Sequence, residues 1–267
     1  MAEKHQHLFD NAIQLAGELD NYRGHTSPAY ANMVGPFGGI TATVMLKALL
    51  DHPKRQGDPI TITVNFAAPI KDGAFEIVTN LIRTNRSTQH WVVTLLQDNG
   101  VSASGTAVLA TRRETWGAID LPFPSFPTNA ELLPNEMLPP WAKNYEFRLP
   151  GGMAALFSAN PPTSETLQTI RDTPPRALDF LSLTAMCDVF FPRIFMRLGQ
   201  IVPVGTVAFT VYYHADSAAL AAHGDAEVIG QARGNRFHNS YFDQSAEIWT
   251  SAGDLLATTT QIVYFKA

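Results

Sequence analysis

The chain contains the same order of segments twice, once on each side of a proline-rich stretch. In the first half, the apolar run "GGITATVMLKALLDH" precedes several stretches rich in β-branched and aromatic residues. In the second half, "LSLTAMCDVFFPRIF" precedes stretches of the same kind. Turn signals at residues 98–100 and 251–254 separate the predicted strands. The order predicts two related units, each with one helix followed by strands.

Individual residues place the two copies in register. Arg83 and Arg86 recur as Arg233 and Arg236, at an offset of about 150 residues. The hairpin turns match at nearly the same offset, and small loop insertions explain the difference. The repeat therefore covers most of each half.

Prolines are concentrated between the two copies. Seven of the eighteen prolines lie between Gly117 and Gly152. Because proline fixes φ and cannot donate to a sheet, this segment is predicted to be an extended, mostly irregular connection. We predict an N-terminal repeat at residues 1–117, a linker at 118–142 and a C-terminal repeat at 143–267.

The two helical runs are apolar on most of their circumference. A helix of this kind is buried on several sides, so the turn-linked strands are expected to wrap around it as an antiparallel sheet. This arrangement predicts the α+β class. A small barrel would lack the helix, and a parallel α/β fold would need a helix between successive strands.

Charge and composition exclude several classes of function. The net charge is −5, and the absence of a Lys/Arg cluster argues against nucleic-acid binding. Cys187 is the single cysteine, so neither a disulfide framework nor a metal-binding run of Cys and His is expected. The sequence shows no signal peptide and no apolar window of about 18 residues. These features predict a cytoplasmic protein without a membrane span.

One carboxylate lies inside the second apolar run. Asp188 is surrounded in sequence by leucine, phenylalanine, methionine and cysteine. A carboxylate among apolar side chains loses hydration, so it faces water, is paired, or has a function. Taken alone, Asp188 is explained without a catalytic role, either as an acid at a helix surface or by an ion pair with an arginine such as Arg193.

Four segments resemble a known family. Over residues 30–265 the chain resembles the double hotdog acyl-CoA thioesterases that are related to bacterial type II thioesterase. This resemblance implies a double hotdog fold, with two tandem repeats that each wrap a long antiparallel sheet around a central helix. The segments are "GPFGGITATVMLKALL", "LDFLSLTAMCDVFFP", "GTVAFTVYYHAD" and "SAEIWTSAGDLLATTTQIVYF".

The resemblance also implies site residues. In the family, an aspartate on the second helix, a threonine on the following strand and a glutamine on the last strand hold the attacking water. In this sequence they correspond to Asp188, Thr206 and Gln261. Bacterial type II enzymes usually place a glutamine soon after the Gly-Gly pair, whereas Ile40 and Thr41 follow it here. The chain therefore looks closer to the broader thioesterase-like branch.

These residue types suit hydrolysis of an acyl-CoA thioester. Asp188 would accept a proton from water as general base, while a hydroxyl and an amide fix the water. Backbone N–H groups of Gly38 and Gly39, at the predicted start of the first helix, would bind the carbonyl oxygen. No metal or other cofactor is required.

Aligning residues 103–106 with 257–260 puts Ala107 opposite Gln261. The first half therefore lacks the amide, and one site per chain is expected.

Other functions remain open from the sequence. The fold can hold an acyl-CoA or fatty-acyl ligand without cleaving it, which would make the chain a non-catalytic binding module. An enoyl-CoA hydratase would need an Asp/His pair on one short segment, and no clear pair is present. Cys187 in an apolar run is typical of core rather than of a nucleophile. Open sheet edges and family habit predict self-association, most simply as a homodimer.

Overall fold

A single antiparallel sheet contains most of the regular structure. The computed structural model describes residues 6–98, 100–157, 161 and 163–266. Within these residues, fourteen strands belong to the same sheet. Asn99, the middle residue of the first predicted hairpin turn, lies outside the described residues.

The strands fall into a first and a second group along the chain. The first group is β1 (Ala16–Glu18), β2 (Asn21–His25), β3 (Asp58–Phe66), β4 (Ala74–Thr84), β5 (Thr88–Gln97) and β6 (Gly100–Ala110). The second group is β7 (Glu131–Leu132), β8 (Tyr145–Leu149), β9 (Thr166–Asp172), β10 (Val204–Tyr213), β11 (Val228–Arg233), β12 (Phe237–His238), β13 (Tyr241–Trp249) and β14 (Leu255–Phe265).

The helices are few and mostly short. They are α1 (Leu8–Ala12), α2 (Gly38–Leu50), α3 (Gly152–Leu156), α4 (Phe180–Met186), α5 (Arg193–Leu198) and α6 (Ser217–His223). Three 3-10 turns are at Pro28–Tyr30, Asn135–Met137 and Pro140–Asn144. In the described part of the chain, none of the helices has both the length and the apolar character needed to cross a bilayer.

The two groups of strands join through β3 and β10, which pair in the middle of the sheet. The strand order is β1-β2-β4-β5-β6-β3-β10-β14-β13-β11-β9-β8-β7, and β12 pairs with β13. Every pair is antiparallel, as expected for strands linked by turns rather than by helices. The α+β prediction is confirmed.

The strand registers relate the two halves residue by residue. Thr63 of β3 faces Thr210 of β10, and their hydroxyl oxygens lie 3.0 Å apart. The residue before Thr63 faces Ala107 on β6, and the residue before Thr210 faces Gln261 on β14. When the two threonines are treated as equivalent, Ala107 occupies the position of Gln261. The strand pairing thus gives the same alignment of the two halves as the sequence does.

Helix α2 is the central helix of the first half and is buried around most of its surface. Ten of its thirteen residues are buried. It packs against α4, and the Thr43 hydroxyl donates to the Leu181 carbonyl oxygen over 3.1 Å. A Cβ on Gly39 would lie 2.8 Å from the Ala185 carbonyl oxygen, so the glycine permits this close approach. The prediction of a helix buried on several sides is confirmed.

The second helical run differs from the prediction. Residues 181–195 were expected to form one helix, but α4 ends at Met186 and α5 begins at Arg193. Pro192 explains the break, because proline lacks an amide hydrogen and disfavours helical geometry at the preceding residue. Asp188 consequently lies in the turn that follows α4, and its expected position on the helix is wrong.

Strands precede the main helix in both halves, which the sequence analysis did not predict. In the first half β1 and β2 precede α2, and in the second half β8 and β9 precede α4. Residues 111–130, all of them described, contain neither helix nor strand. The chain that follows is anchored in the core by buried Leu133, Leu138 and Trp141.

Candidate active site

A cavity of about 440 Å³ opens where α2 begins, beside the start of β10 and the end of β14. Asp188, Thr206 and Gln261 all line this cavity, as does Gly38. Phe37 and Trp141 form part of the wall as stacked rings, with centroids 4.3 Å apart and planes 7° apart. The cavity therefore combines an apolar wall with a small polar group.

Asp188 lies in the turn after α4 and lines the cavity. Its carboxylate is enclosed by protein, although the residue keeps part of its surface open to the cavity. The side-chain nitrogen of Gln261 donates to Asp188 Oδ1 over 2.6 Å. Burial raises the pKa of Asp188 to about 7, while hydrogen bonds from Gln261 and from the Gly39 backbone act in the opposite direction.

Gln261 links Asp188 to Thr206. The Thr206 hydroxyl donates to Gln261 Oε1 over 3.3 Å, so both ends of the amide are engaged. Gln261 points inward because alternate residues of β14 face the core. A bulge in β10 follows Thr206, between the residues that pair with Val263 and Ile262. A bulge re-aims side chains, and here it accompanies the turn of Thr206 toward the cavity.

Gly38 and Gly39 begin α2 beside Asp188. A Cβ on Gly38 would lie 2.7 Å from Asp188 Oδ2, and a Cβ on Gly39 would lie 2.5 Å from the Phe37 ring. The first N–H groups of a helix have no acceptor within the helix. The N–H of Gly39 stabilises the Asp188 carboxylate, so part of the predicted oxyanion-binding region also holds the acid.

Asp188 does not form an ion pair with Arg193, the alternative partner that the sequence suggested. Arg193 is fully buried, and its guanidinium donates to the backbone carbonyl oxygens of Ser164, Phe191 and Ala232 and to the Thr166 hydroxyl. An Asp188–Arg193 ion pair is therefore wrong.

Cys187 and His214 do not belong to this site. Cys187 is buried, and burial raises the pKa of its thiol, as expected for a core residue. His214 contacts the Thr258 hydroxyl over 3.1 Å and lines a different cavity. Within the described ranges, no cluster of three or more His, Cys, Asp or Glu residues is arranged to hold a metal ion.

Sequence reasoning missed Gln244. This residue lies on β13 directly opposite Gln261, and it lines the same cavity. Its neighbours on the inner face of β13 are Phe242 and Ala246, both buried. The signal was present in the sequence, because strict alternation along "YFDQSAEIW" places this amide on the apolar face.

Comparisons with known proteins cover both halves of the chain. The family described as "Acyl-CoA thioesterase C-terminal domain" matches residues 118–265. The one described as "Acyl-CoA thioesterase N-terminal domain" matches residues 27–110. No curated protein matches the chain.

Several solved structures share the fold. A conserved protein of unknown function with a hot dog fold from Alicyclobacillus acidocaldarius is 45% identical, with a TM-score of 0.93 over 98% of this chain and 99% of that one. A tesB protein from Mycobacterium avium subspecies paratuberculosis is 16% identical, with a TM-score of 0.76 over 98% and 100%. An acyl-CoA thioesterase II from Mycobacterium marinum is 17% identical, with a TM-score of 0.74 over 97% and 98%. The last two likenesses show the fold alone, and the double hotdog prediction is confirmed.

Proposed function

The chain belongs to the acyl-CoA thioesterase family, and we propose that it hydrolyses an acyl-CoA thioester to the free acid and CoA. The reaction takes place in the cavity where Asp188, Thr206 and Gln261 meet. The observation that carries this proposal is the Gln261 amide, which joins the carboxylate and the hydroxyl at the wall of the cavity.

Asp188 acts as the general base. A water molecule attacks the thioester carbonyl carbon while Asp188 accepts one of its protons, which gives a tetrahedral intermediate. When the C–S bond breaks, the CoA thiolate leaves and takes the proton back from Asp188. A pKa of about 7 suits this role, because a base is most effective when its pKa lies near the working pH.

Thr206 and Gln261 position the base and the water. Gln261 holds Asp188 Oδ1 in place, and the Thr206 hydroxyl fixes the orientation of the Gln261 amide. Groups held in advance need little reorganisation during the reaction. Negative charge develops on the carbonyl oxygen, and the N–H of Gly38 at the start of α2 stabilises it. The N–H of Gly39, expected from the sequence to share this role, serves the Asp188 carboxylate instead.

Several broader features belong to the same proposal. The chain works in the cytoplasm without a metal or redox cofactor, and it divides into repeats at 1–117 and 143–267 joined by the linker at 118–142. It forms a homodimer. The sheet is open at β1 and β7, and the unpaired backbone groups of an open edge are the reason to expect self-association.

Turnover of a panel of acyl-CoAs tests the proposal. Free-thiol release and free acid are measured together, and binding of each acyl-CoA is measured in parallel by calorimetry. We expect stoichiometric release of thiol and acid from at least one member of the panel. Binding without release would instead identify a non-catalytic acyl-CoA binding module.

A further inference from the structure

Gln244 is a polar side chain that the proposed mechanism does not use. It is only 4% exposed, and it lines the cavity beside Gln261, which lies opposite it on β14. Phe242 and Ala246 flank it on the same apolar face of β13. An amide in this position loses its hydration, so it requires a hydrogen-bonding partner.

The amide of Gln244 has free hydrogen-bonding capacity. Its Oε1 atom is buried, and it makes no hydrogen bond with any group in the described part of the chain. Gln261, on the neighbouring strand, makes its hydrogen bonds to Asp188 and Thr206 and not to this atom. A buried polar atom without a partner is unfavourable, so a ligand group that pairs with it gains affinity.

The first half of the chain shows that the fold does not need this amide. Trp91 of β5 faces Ala107, just as Gln244 faces Gln261. Since Ala107 is equivalent to Gln261, Trp91 is equivalent to Gln244, and it is 1% exposed. The same position is therefore filled by an indole ring in the half without the proposed site, and its Nε1 is also buried without a hydrogen-bonding partner among the described residues. Both halves thus leave a buried polar atom unpaired at this position, and only the second half places an amide there, beside the cavity.

We propose that Gln244 binds a hydroxyl group on the acyl chain, close to the thioester, so that the protein favours hydroxyacyl thioesters over unsubstituted ones of the same length. A hydroxyl both donates and accepts, so it pairs with either end of the amide. An unsubstituted alkyl chain would offer the amide no partner. This inference rests on the proposed function, because it assigns the substrate class of the same cavity.

Such a pairing discriminates more strongly than apolar packing does. A site built to hydrogen-bond a substrate group rejects the analogue that lacks it, because the polar atom of the site is then left unpaired. One unpaired buried atom corresponds to a preference of roughly tenfold. Adjacent strands lie about 4.8 Å apart. The Gln244 backbone is therefore one strand away from the backbone of Gln261, which holds Asp188.

The test compares pairs of acyl-CoAs of equal chain length, with and without a 3-hydroxyl group. Wild type is expected to show a kcat/KM about tenfold higher for the hydroxylated member. Gln244→Leu removes the amide at similar volume and should abolish the preference, mainly by improving the unsubstituted substrate. Gln168→Leu is the matched control, because Gln168 is fully buried with both amide atoms unpaired among the described residues, and it does not line the cavity.

Binding of non-hydrolysable thioether analogues separates this inference from the proposed function. If no acyl-CoA is hydrolysed, the hydroxylated thioether should still bind wild type about tenfold more tightly than its unsubstituted counterpart. Equal binding and equal turnover of both members would overturn the inference while leaving hydrolysis intact. A preference that persists in Gln244→Leu would also overturn it. Should that variant melt early, Gln244→Met serves the same purpose, and the wild-type preference is measured regardless.

Discussion

The side-chain amide of Gln261 donates to the Asp188 carboxylate over 2.6 Å, although 73 residues separate the two positions in the chain. This hydrogen bond joins β14, the last strand along the chain, to the turn after α4. This bond lowers the pKa of Asp188, while burial raises it more strongly. The balance of these two effects sets the pH at which the proposed base is active.

Replacing Gln261 should shift that balance. Gln261→Leu removes the donor, so the pKa of Asp188 should rise above about 7 and the acid limb of kcat/KM should move to higher pH. The rate at the plateau should also fall about 10- to 100-fold, because the base loses its support. A pH–rate profile measures both effects. An unshifted acid limb would show that Gln261 does not act on Asp188.

The wild-type profile carries a prediction of its own. Because only the ionised carboxylate accepts a proton, kcat/KM should fall about tenfold per pH unit below about pH 7. Initial rates of thiol release between pH 4.5 and 9, in buffers of constant ionic strength, measure this limb. A limb near pH 4, the ordinary range of an aspartate, would contradict the burial of the working carboxylate.

Stability should respond to the same group with a definite sign. The pKa of Asp188 is about 7 in the folded chain and about 3.9 when unfolded, so the folded state binds more protons between these values. Its stabilising contribution is complete below about pH 4 and is lost as pH rises through 7. Asp188→Asn cannot ionise, so at pH 8 it should unfold with a free energy higher than wild type by on the order of 1 to 3 kcal/mol.

The difference between variant and wild type should shrink toward pH 4. Denaturant unfolding at pH 4.5, 6 and 8 measures it. Burial also raises the pKa of Asp172, to about 6, so wild type alone does not isolate the contribution of Asp188. If Asp188→Asn raised the free energy of unfolding by the same amount at all three pH values, the pKa of Asp188 would not be shifted in the folded chain.

Gly38 should be needed for the position of the base rather than for stability. A Cβ at this residue would lie 2.7 Å from Asp188 Oδ2, so Gly38→Ala should displace the carboxylate and lower kcat/KM roughly 10- to 100-fold. Gly117→Ala is the control, because its Cβ would meet nothing within 4 Å. Kinetics and thermal melting are compared for both variants. Wild-type kinetics in Gly38→Ala would contradict the claim that a Cβ at this position displaces the Asp188 carboxylate.

Much of the fold was predictable because it follows from local patterns. Apolar helical runs and alternating strands, repeated twice, were sufficient to predict the α+β class. The break in the second run was present in the sequence as Pro192, but the apolar periodicity on both sides concealed it. The strands before the second helix were missed because β8 and β9 are short, and β8 lies within the proline-rich segment between Gly117 and Gly152.

The candidate site was predictable only in part. The resemblance named Asp188, Thr206 and Gln261, and the structure brings them into one cavity, although their catalytic roles stay predictions. Gln244 was missed because its importance depends on the register between β13 and β14, which one strand alone does not reveal. The contact of Gly39 with Asp188 depends on the packing of α2 against α4, which no local pattern specifies.

The most direct test of the central claim is the rate of free-thiol release by Asp188→Asn at pH 8, on the acyl-CoA that wild type hydrolyses fastest. The asparagine keeps the shape of the side chain and removes the base, so kcat should fall at least about 100-fold. Asp172→Asn is the matched control, since Asp172 is a buried carboxylate that does not line the cavity, and it should keep most of the activity. A rate for Asp188→Asn within a few-fold of wild type would contradict the account.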